Sequence, residues 1–257
     1  MLKTKRIQQI KEYVIQHQSV SLDDLVTTFG VSKNTIRRDV QKLVEEGHIH
    51  KVYGGVAVNH ARLESFHDRQ TRNQLQKKWI AKEAARIVEN GDVIFIDSGT
   101  TTLEMIHYLN DKELTIVTTN LDFIVQALPY AQLHVISTGG LLERRTKSFS
   151  NFAYTNEILH YNFDKVFMAS TGVSISNGVT NSSPVETSMK EMVVKKGKEV
   201  ILVVDHTKFN KYAMVTYCGL DEIDYLITDN SLDNTYTTFF KEHHIELIVA
   251  SSQDEDE

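Results

Sequence analysis

Two groups of residues have the types and spacing for chemistry. The first lies between positions 32 and 44, where Ile36, Val40, Leu43 and Val44 recur at helical spacing. Burying that stripe turns Asn34, Arg38 and Gln41 outward, with Lys33 and Arg37 on the flank. Asn and Gln can pair bidentately with adenine and Arg with guanine, while a helix start capped by Ser32 favours a phosphate. A solvated polar face fits the same residues. Asp39 dilutes the charge there, although it can equally orient a neighbouring arginine. The second group is Asp97, Ser98, Gly99, Thr100, Thr101 and Thr102, directly after the apolar run Val93–Ile96. A glycine among hydroxyls at a strand-to-helix turn offers backbone N–H groups, O–H donors and a helix start to one anion. The loop is neither a G-x-x-x-x-G-K-[ST] nor a G-x-G-x-x-G motif, and a capped turn would also account for it.

The theme repeats after other apolar runs. Thr118, Thr119 and Asn120 follow Leu114–Val117; Ser137, Thr138, Gly139 and Gly140 follow Leu133–Ile136. Ser170, Thr171 and Gly172 follow Val166–Ala169, and Asp205, His206, Thr207 and Lys208 follow Val200–Val204. Small, hydroxylic residues at so many strand exits, with one Asp–Lys pair, make a polar pocket with room for a hydroxylated ligand. Ser183-Pro184-Val185-Glu186 is a capping box, so Glu186 has both a capping role and a ligand contact open to it. Lys190, one turn on, reads as an exposed i,i+4 partner of Glu186.

These residues need elements to hold them. The spacing predicts a helix over 5–17 and a second opened by Ser21 and Asp24 and closed by Gly30. A third follows Ser32 and is stopped by Gly47, which is helix-turn-helix spacing. His48–Tyr53, Gly54-Gly55 and Val56–Val58 read as a two-stranded hairpin, the wing of a winged helix, with His50 and Lys51 placed to meet a phosphate backbone. Residues 59–78 read as a linker leading into a connecting helix that ends near Asn90-Gly91, and a helix is expected over Leu103–Leu109. From 79 to 250, seven apolar runs, the five above followed by Tyr225–Ile227 and Ile245–Val249, alternate mostly with helical stretches. The fold class is therefore α/β: a winged helix-turn-helix over 1–58 and a largely parallel layered domain over 79–250, with ligands expected at the carboxyl ends of the strands. Residues 251–257 form an acidic tail without assigned function.

Composition bounds the reading. The chain has 257 residues, 41% hydrophobic and 24% charged, with no apolar run able to span a bilayer and no apolar region after its basic N-terminus, so a cytoplasmic, membrane-free protein is expected. The net charge of −6 divides unevenly: nine Lys/Arg against six Asp/Glu in residues 1–58, nineteen against twenty-eight thereafter. A basic head on an acidic body presents one end to a polyanion. Cys218, the single cysteine, excludes an internal disulfide and reads as a small buried apolar residue; no metal or cofactor is expected.

Val31 through Val40 (VSKNTIRRDV), then Leu43, Gly47 and Tyr53-Gly54-Gly55, resembles the DNA-binding signature of the DeoR family of regulators. Ile96–Thr101, Gly139-Gly140 with Thr146 and Ser148, and Asp205–Phe209 resemble that family's sensor domain, itself similar to sugar-phosphate isomerases. One departure is Ser148-Phe149-Ser150-Asn151, where many members carry a glycine. Ser32–Thr35, Arg145–Phe149 and Gly178–Asn181 look closest to the inositol-catabolism repressors of Gram-positive bacteria. The resemblance implies that Thr35, Arg37 and Arg38 face DNA and that the wing contacts backbone. The expected DNA-binding set is thus Ser32, Lys33, Asn34, Thr35, Arg37, Arg38, Gln41, Lys51, Tyr53 and Gly54. It also implies that Asp97–Thr102 hold the phosphate of an effector whose sugar part meets Thr118, Thr119, Asn120, Gly172, Glu186, Asp205 and Lys208, with Gly139 and Gly140 in the same set. The implied partners are a double-stranded DNA operator and a phosphorylated sugar or inositol catabolite, met by a homodimer or tetramer. The function expected is a repressor, not an enzyme. The rival is an active sugar-phosphate isomerase or deaminase fused to a DNA-binding module.

Overall fold

The computed structural model describes residues 3–17, 19–46, 49–58, 66–150 and 158–252. Gly47, Asn151 and the acidic residues 254–257 lie outside them. The chain divides into two compact units, Met1–Glu64 and Ser65–Glu257.

In the N-terminal unit, α1 (Lys3–His17) is followed by β1 (Ser19–Ser21), α2 (Leu22–Phe29), α3 (Lys33–Glu45), β2 (Ile49–Val52) and β3 (Gly55–Val58). Both predicted caps are formed. The Ser21 hydroxyl accepts from the Asp24 N–H and that of Ser32 from the Thr35 N–H, each bond contributing about 1 kcal/mol. Gly30 closes α2 in the left-handed region. Ile10, Val14, Leu25, Ile36, Val40, Leu43 and Val56 form the core. The predicted wing hairpin forms, β2 pairing antiparallel with β3, and β1, which the sequence reading did not foresee, adds a third strand beside β3 in the order β1-β3-β2. The Gly-Gly pair serves both features. Gly54 turns at φ 75°, and a side chain on Gly55 would meet the Val20 carbonyl at 2.3 Å.

Asp39 is not on the polar face. It is buried, and its carboxylate accepts from Arg6 Nε at 2.7 Å, tying α3 to α1. The alternative that it orients an arginine is the one realised, but the arginine comes from another helix.

The C-terminal unit opens with α4 (Phe66–Thr71) and α5 (Gln74–Arg86). The connecting helix stops short of Asn90-Gly91; Gly91 instead takes φ 90° in the turn before β4. Then come β4 (Val93–Ile96), α6 (Thr100–Leu103), β5 (Leu114–Thr118), α7 (Leu121–Ala127), β6 (Leu133–Ser137), β7 (Leu141–Glu143), β8 (Ser148–Ser150) and β9 (Phe163–Met168). They are followed by β10 (Gly172–Ser174), β11 (Gly178–Asn181), α8 (Pro184–Lys196), β12 (Gly197–Val203), β13 (Val215–Cys218), β14 (Tyr225–Thr228), α9 (Asn234–Glu242) and β15 (Glu246–Val249). The helix expected over 103–109 is a single α-turn continued as a 3-10 helix, Glu104–Tyr108.

All seven apolar runs become strands of one parallel sheet, ordered β15-β14-β12-β9-β4-β5-β6. The inner strands β14, β12, β9, β4 and β5 are largely buried on both faces, which is why they read as unbroken apolar runs. Phe95, Val166, Met168 and Leu202 face one core, and Ile94, Ile96, Phe167 and Ile201 the other. From β4 the chain winds outward through β5 and β6; from β9 it winds the opposite way through β12, β14 and β15. The direction therefore reverses between β4 and β9, the place where open α/β sheets leave a crevice at their carboxyl ends. Among the described residues no helix is long and apolar enough to cross a membrane.

Candidate functional site

On the N-terminal unit, α3 and the wing enclose a groove lined by Arg37, Arg38, Gln41, Lys51 and Gly54. Arg37 and Arg38 are exposed, with no hydrogen bond or ion pair among the described residues. Their neighbours are engaged: Lys51 Nζ donates to Gln41 Oε1 at 2.7 Å, and Gln41 Nε2 donates to Glu45 at 2.9 Å. At the helix start, the Thr35 hydroxyl lies 2.9 Å from that of Ser32, and Lys33 pairs with Asp23 at 2.6 Å. Asn34 is exposed and Tyr53 stands fully in solvent at the wing turn. Two unpaired guanidinium groups beside a concave, basic surface suit a duplex phosphate backbone or guanine edges.

In the C-terminal unit a cavity opens at the β4–β9 reversal, lined by Ser98, Gly99, Thr100 and Thr101 from the β4 loop. Ala169, Ser170 and Thr171 follow β9, and Arg69, Thr146, Asn181, Glu186, Lys190, Val203, Val204 and Lys208 complete the wall. The approach of the two loops is tight. A Cβ on Gly99 would sit 2.3 Å from that of Ala169. The Ser170 hydroxyl is buried with no partner among the described residues, so a wall of this cavity holds an unmet polar group.

Behind the wall, Asp97 acts as a brace. Its carboxylate accepts from the Ser98 N–H at 2.8 Å, from the Ala169 N–H at 2.9 Å and from Lys190. Lys190 is buried, not exposed as the i,i+4 spacing suggested; it also donates to the Ala169 carbonyl at 3.1 Å and lies over the Tyr217 ring. Glu186 accepts from Ser148 at 2.6 Å and from Asn181 at 3.1 Å. Burial alone would raise its carboxyl, but Lys190 with hydrogen bonds from Ser148, Thr146 and Asn181 holds it below the usual range. Asp205 behaves alike: burial raises it, and Lys208, Thr207 and Lys77 together bring it down. The cavity thus presents an ionised Glu186 and hydroxyl donors near the cations Arg69, Lys190 and Lys208.

The structure brings Ser98, Gly99, Thr100, Thr101, Glu186 and Lys208 together, and Asp97 and Thr119 line a smaller adjoining cavity. Other expected residues turn inward. Thr102 donates to the carbonyls of Asp97 and Gly99, Thr118 to that of Ile96, and Asn120 caps α7. The Asp205 carboxylate accepts from the Thr207 N–H at 2.9 Å. Gly139 and Gly140 take positive φ in the turn before β7, and a side chain on Gly172 would meet the Lys211 carbonyl at 2.6 Å; none of the three lines the cavity. Missed from sequence were Arg69, Asn181 and Lys190 as lining residues. Arg69 stands in a polar stretch without period, and Lys190 looks like any lysine on a helix face, so no local signal marks them. No cluster of three or more His, Cys, Asp or Glu suited to a metal exists among the described residues.

Comparison with known proteins follows this division. Residues 6–62 match the DeoR-like helix-turn-helix domain and residues 72–230 the DeoR C terminal sensor domain. The HTH-type transcriptional regulator IolR of Bacillus subtilis is 40% identical over 97% of this chain and 100% of its own length. The glycerol-3-phosphate regulon repressor of Escherichia coli is 31% identical over 96% of this chain and 99% of its own. Among solved structures, ribose 5-phosphate isomerase A of Methanocaldococcus jannaschii is 19% identical, with a TM-score of 0.40 over 53% of this chain and 55% of that one. With both domains matched and full-length relatives named as transcriptional regulators, the chain belongs to the DeoR family of DNA-binding transcription regulators.

Proposed function

We propose that this regulator represses a carbohydrate or polyol catabolic operon and leaves its double-stranded operator when a phosphorylated sugar or inositol catabolite fills the β4–β9 cavity. In this reading residues 1–58 bind DNA, the stretch 59–78 links the units, begins the connecting helix and lends Arg69 to the cavity, and 79–250 supply the rest of the effector site, leaving 251–257 as an acidic tail. The protein works in the cytoplasm as a homodimer or tetramer, since two recognition helices must meet half-sites about one DNA turn apart.

The observation that carries the effector reading is the coincidence of sheet reversal and chemistry. The one crevice that topology favours holds the Ser98–Thr101 loop, the unpartnered Ser170 hydroxyl and the cations Arg69 and Lys208. Glu186, held ionised, suits the hydroxyl donors of a polyol. The names of the two relatives, a regulator IolR and a glycerol-3-phosphate regulon repressor, agree with that class.

A thermal-shift screen of sugar monophosphates and phosphorylated inositol catabolites on the full chain tests it. A true effector at 100 times its Kd adds about 2.7 kcal/mol of stability. Stabilisation should vanish in the Ser98→Ala/Thr101→Ala double variant while DNA binding persists. A screen without a stabilising member, or a response that survives those substitutions, overturns the assignment.

A further inference from the structure

Arg69 belongs to α4, the first element of the C-terminal unit, and lines the cavity with the Ser98–Thr101 loop and Lys208. Behind it, the buried Lys77 of α5 donates to the Arg69 carbonyl. That ammonium is pushed down to about 8 by burial; Asp205 opposes the shift, and Lys208, Arg72 and Arg69 add to it. Arg69 and Lys208 thus place two cationic side chains, with the carboxylate of Glu186, in the wall of the cavity, and a cation in such a wall can meet an anionic ligand.

The same short helix meets the cavity wall by a second route. Phe66 is buried; the Arg69 guanidinium lies 5.5 Å and the Lys147 ammonium 5.2 Å from its ring centre. Its N–H donates to the Arg145 carbonyl at 3.2 Å, in the turn between β7 and β8. The next residues of that turn reach the cavity: the Thr146 hydroxyl lies 2.7 Å from that of Ser148, which donates to Glu186. A helix of six residues is not stable by itself, so α4 stays where these contacts hold it. α4 is the first described element after the N-terminal unit, which ends at Glu64.

We propose that α4 is the effector-reading element of this regulator: an anion in the cavity engages Arg69 and fixes α4. The inference rests on the reading of the cavity as a sugar-phosphate site and adds the element that reports its occupancy. Ligand binding can shift only an equilibrium whose two states it contacts differently, and α4 contributes Arg69 to the cavity while being too short to hold itself.

Hydrogen exchange on the full-length protein tests this, with inorganic phosphate and glucose 6-phosphate as probes. Each is raised until its effect saturates or until a stated upper concentration. Occupancy at roughly ten times Kd should slow exchange about ten-fold in both 98–101 and 66–71. In Arg69→Gln, at phosphate sufficient to protect 98–101, protection of 66–71 should be lost, and Arg69→Lys should restore part of it. Phe66→Leu, away from the cavity, should leave 98–101 protected and weaken protection of 66–71. Wild-type protein protected at 98–101 but unchanged at 66–71 overturns the role of α4 and leaves the cavity reading standing. Full α4 protection in Arg69→Gln or in Phe66→Leu also overturns it. No protection of either segment by any probe overturns both.

Discussion

Lys190 donates at once to the Asp97 carboxylate and to the Ala169 carbonyl, so one ammonium from α8 joins the carboxyl ends of β4 and β9. Asp97 itself accepts from the Ala169 N–H. The crevice at the sheet reversal is thus held by a buried ion pair whose partners lie 93 residues apart.

Removing one member of that pair should be costly. Lys190→Met leaves a buried carboxylate without its cation, and a loss of about 3–5 kcal/mol is expected in urea unfolding of the full chain. Adding Asp97→Asn should recover part of it, because a neutral amide needs no counter-ion. A single-variant loss below about 1 kcal/mol would show that the pair is not the brace described.

Arg38 is exposed and unpaired among the described residues, in the groove between α3 and the wing. Arg38→Ala should weaken operator binding by about 1–3 kcal/mol and relax preference at one base position if it reads a base edge. Fluorescence anisotropy across operator variants and salt concentrations separates the cases. A uniform loss with a reduced salt slope identifies a phosphate contact instead.

Stability should depend on pH through Lys77. The folded state releases this proton near pH 8, whereas an exposed lysine holds it to 10.5. Between those values the unfolded chain binds more protons, so the group makes stability rise with pH across that window; below pH 8 the penalty for its burial is fully present. Relative to wild type, Lys77→Met should gain most at neutral pH, with the gap closing toward pH 10. Unfolding curves of identical pH slope for the two proteins would refute the assignment.

Cys218 is buried, and burial pushes its thiol up, with Glu222 adding to the shift, so the reactive thiolate is scarce. Iodoacetamide should leave the native protein unmodified and label it only as fast as it unfolds. Rapid labelling under native conditions would contradict the packing described.

Much of this was legible in the residues. Ser21, Gly30 and Ser32 mark helix ends because capping is a local event, and each cap forms where the spacing places it. Seven apolar runs marked seven strands, the inner ones because a parallel strand buried on both faces must be apolar throughout. Family membership followed from the string around Arg37 and Arg38. Less visible was β1, three residues whose strand state exists only through pairing with β3. Asp39 and Lys190 look like surface charges because nothing in a helical period announces that a partner waits at residue 6 or residue 97.

The chain's own chemistry therefore determined most of the elements, the basic helix α3 and the hydroxyl-rich loop after β4, since each depends on neighbours within a few positions. Tertiary structure decided which polar residues converge. Strand order put Ser98–Thr101 beside Ser170, brought Arg69, Glu186 and Lys208 to the same wall, and turned Thr118, Asn120, Asp205 and Gly172 to bracing, capping or close packing. The physical reason is that a ligand site at a sheet reversal is assembled from strand ends far apart in sequence, and only the order of the strands sets which ends meet.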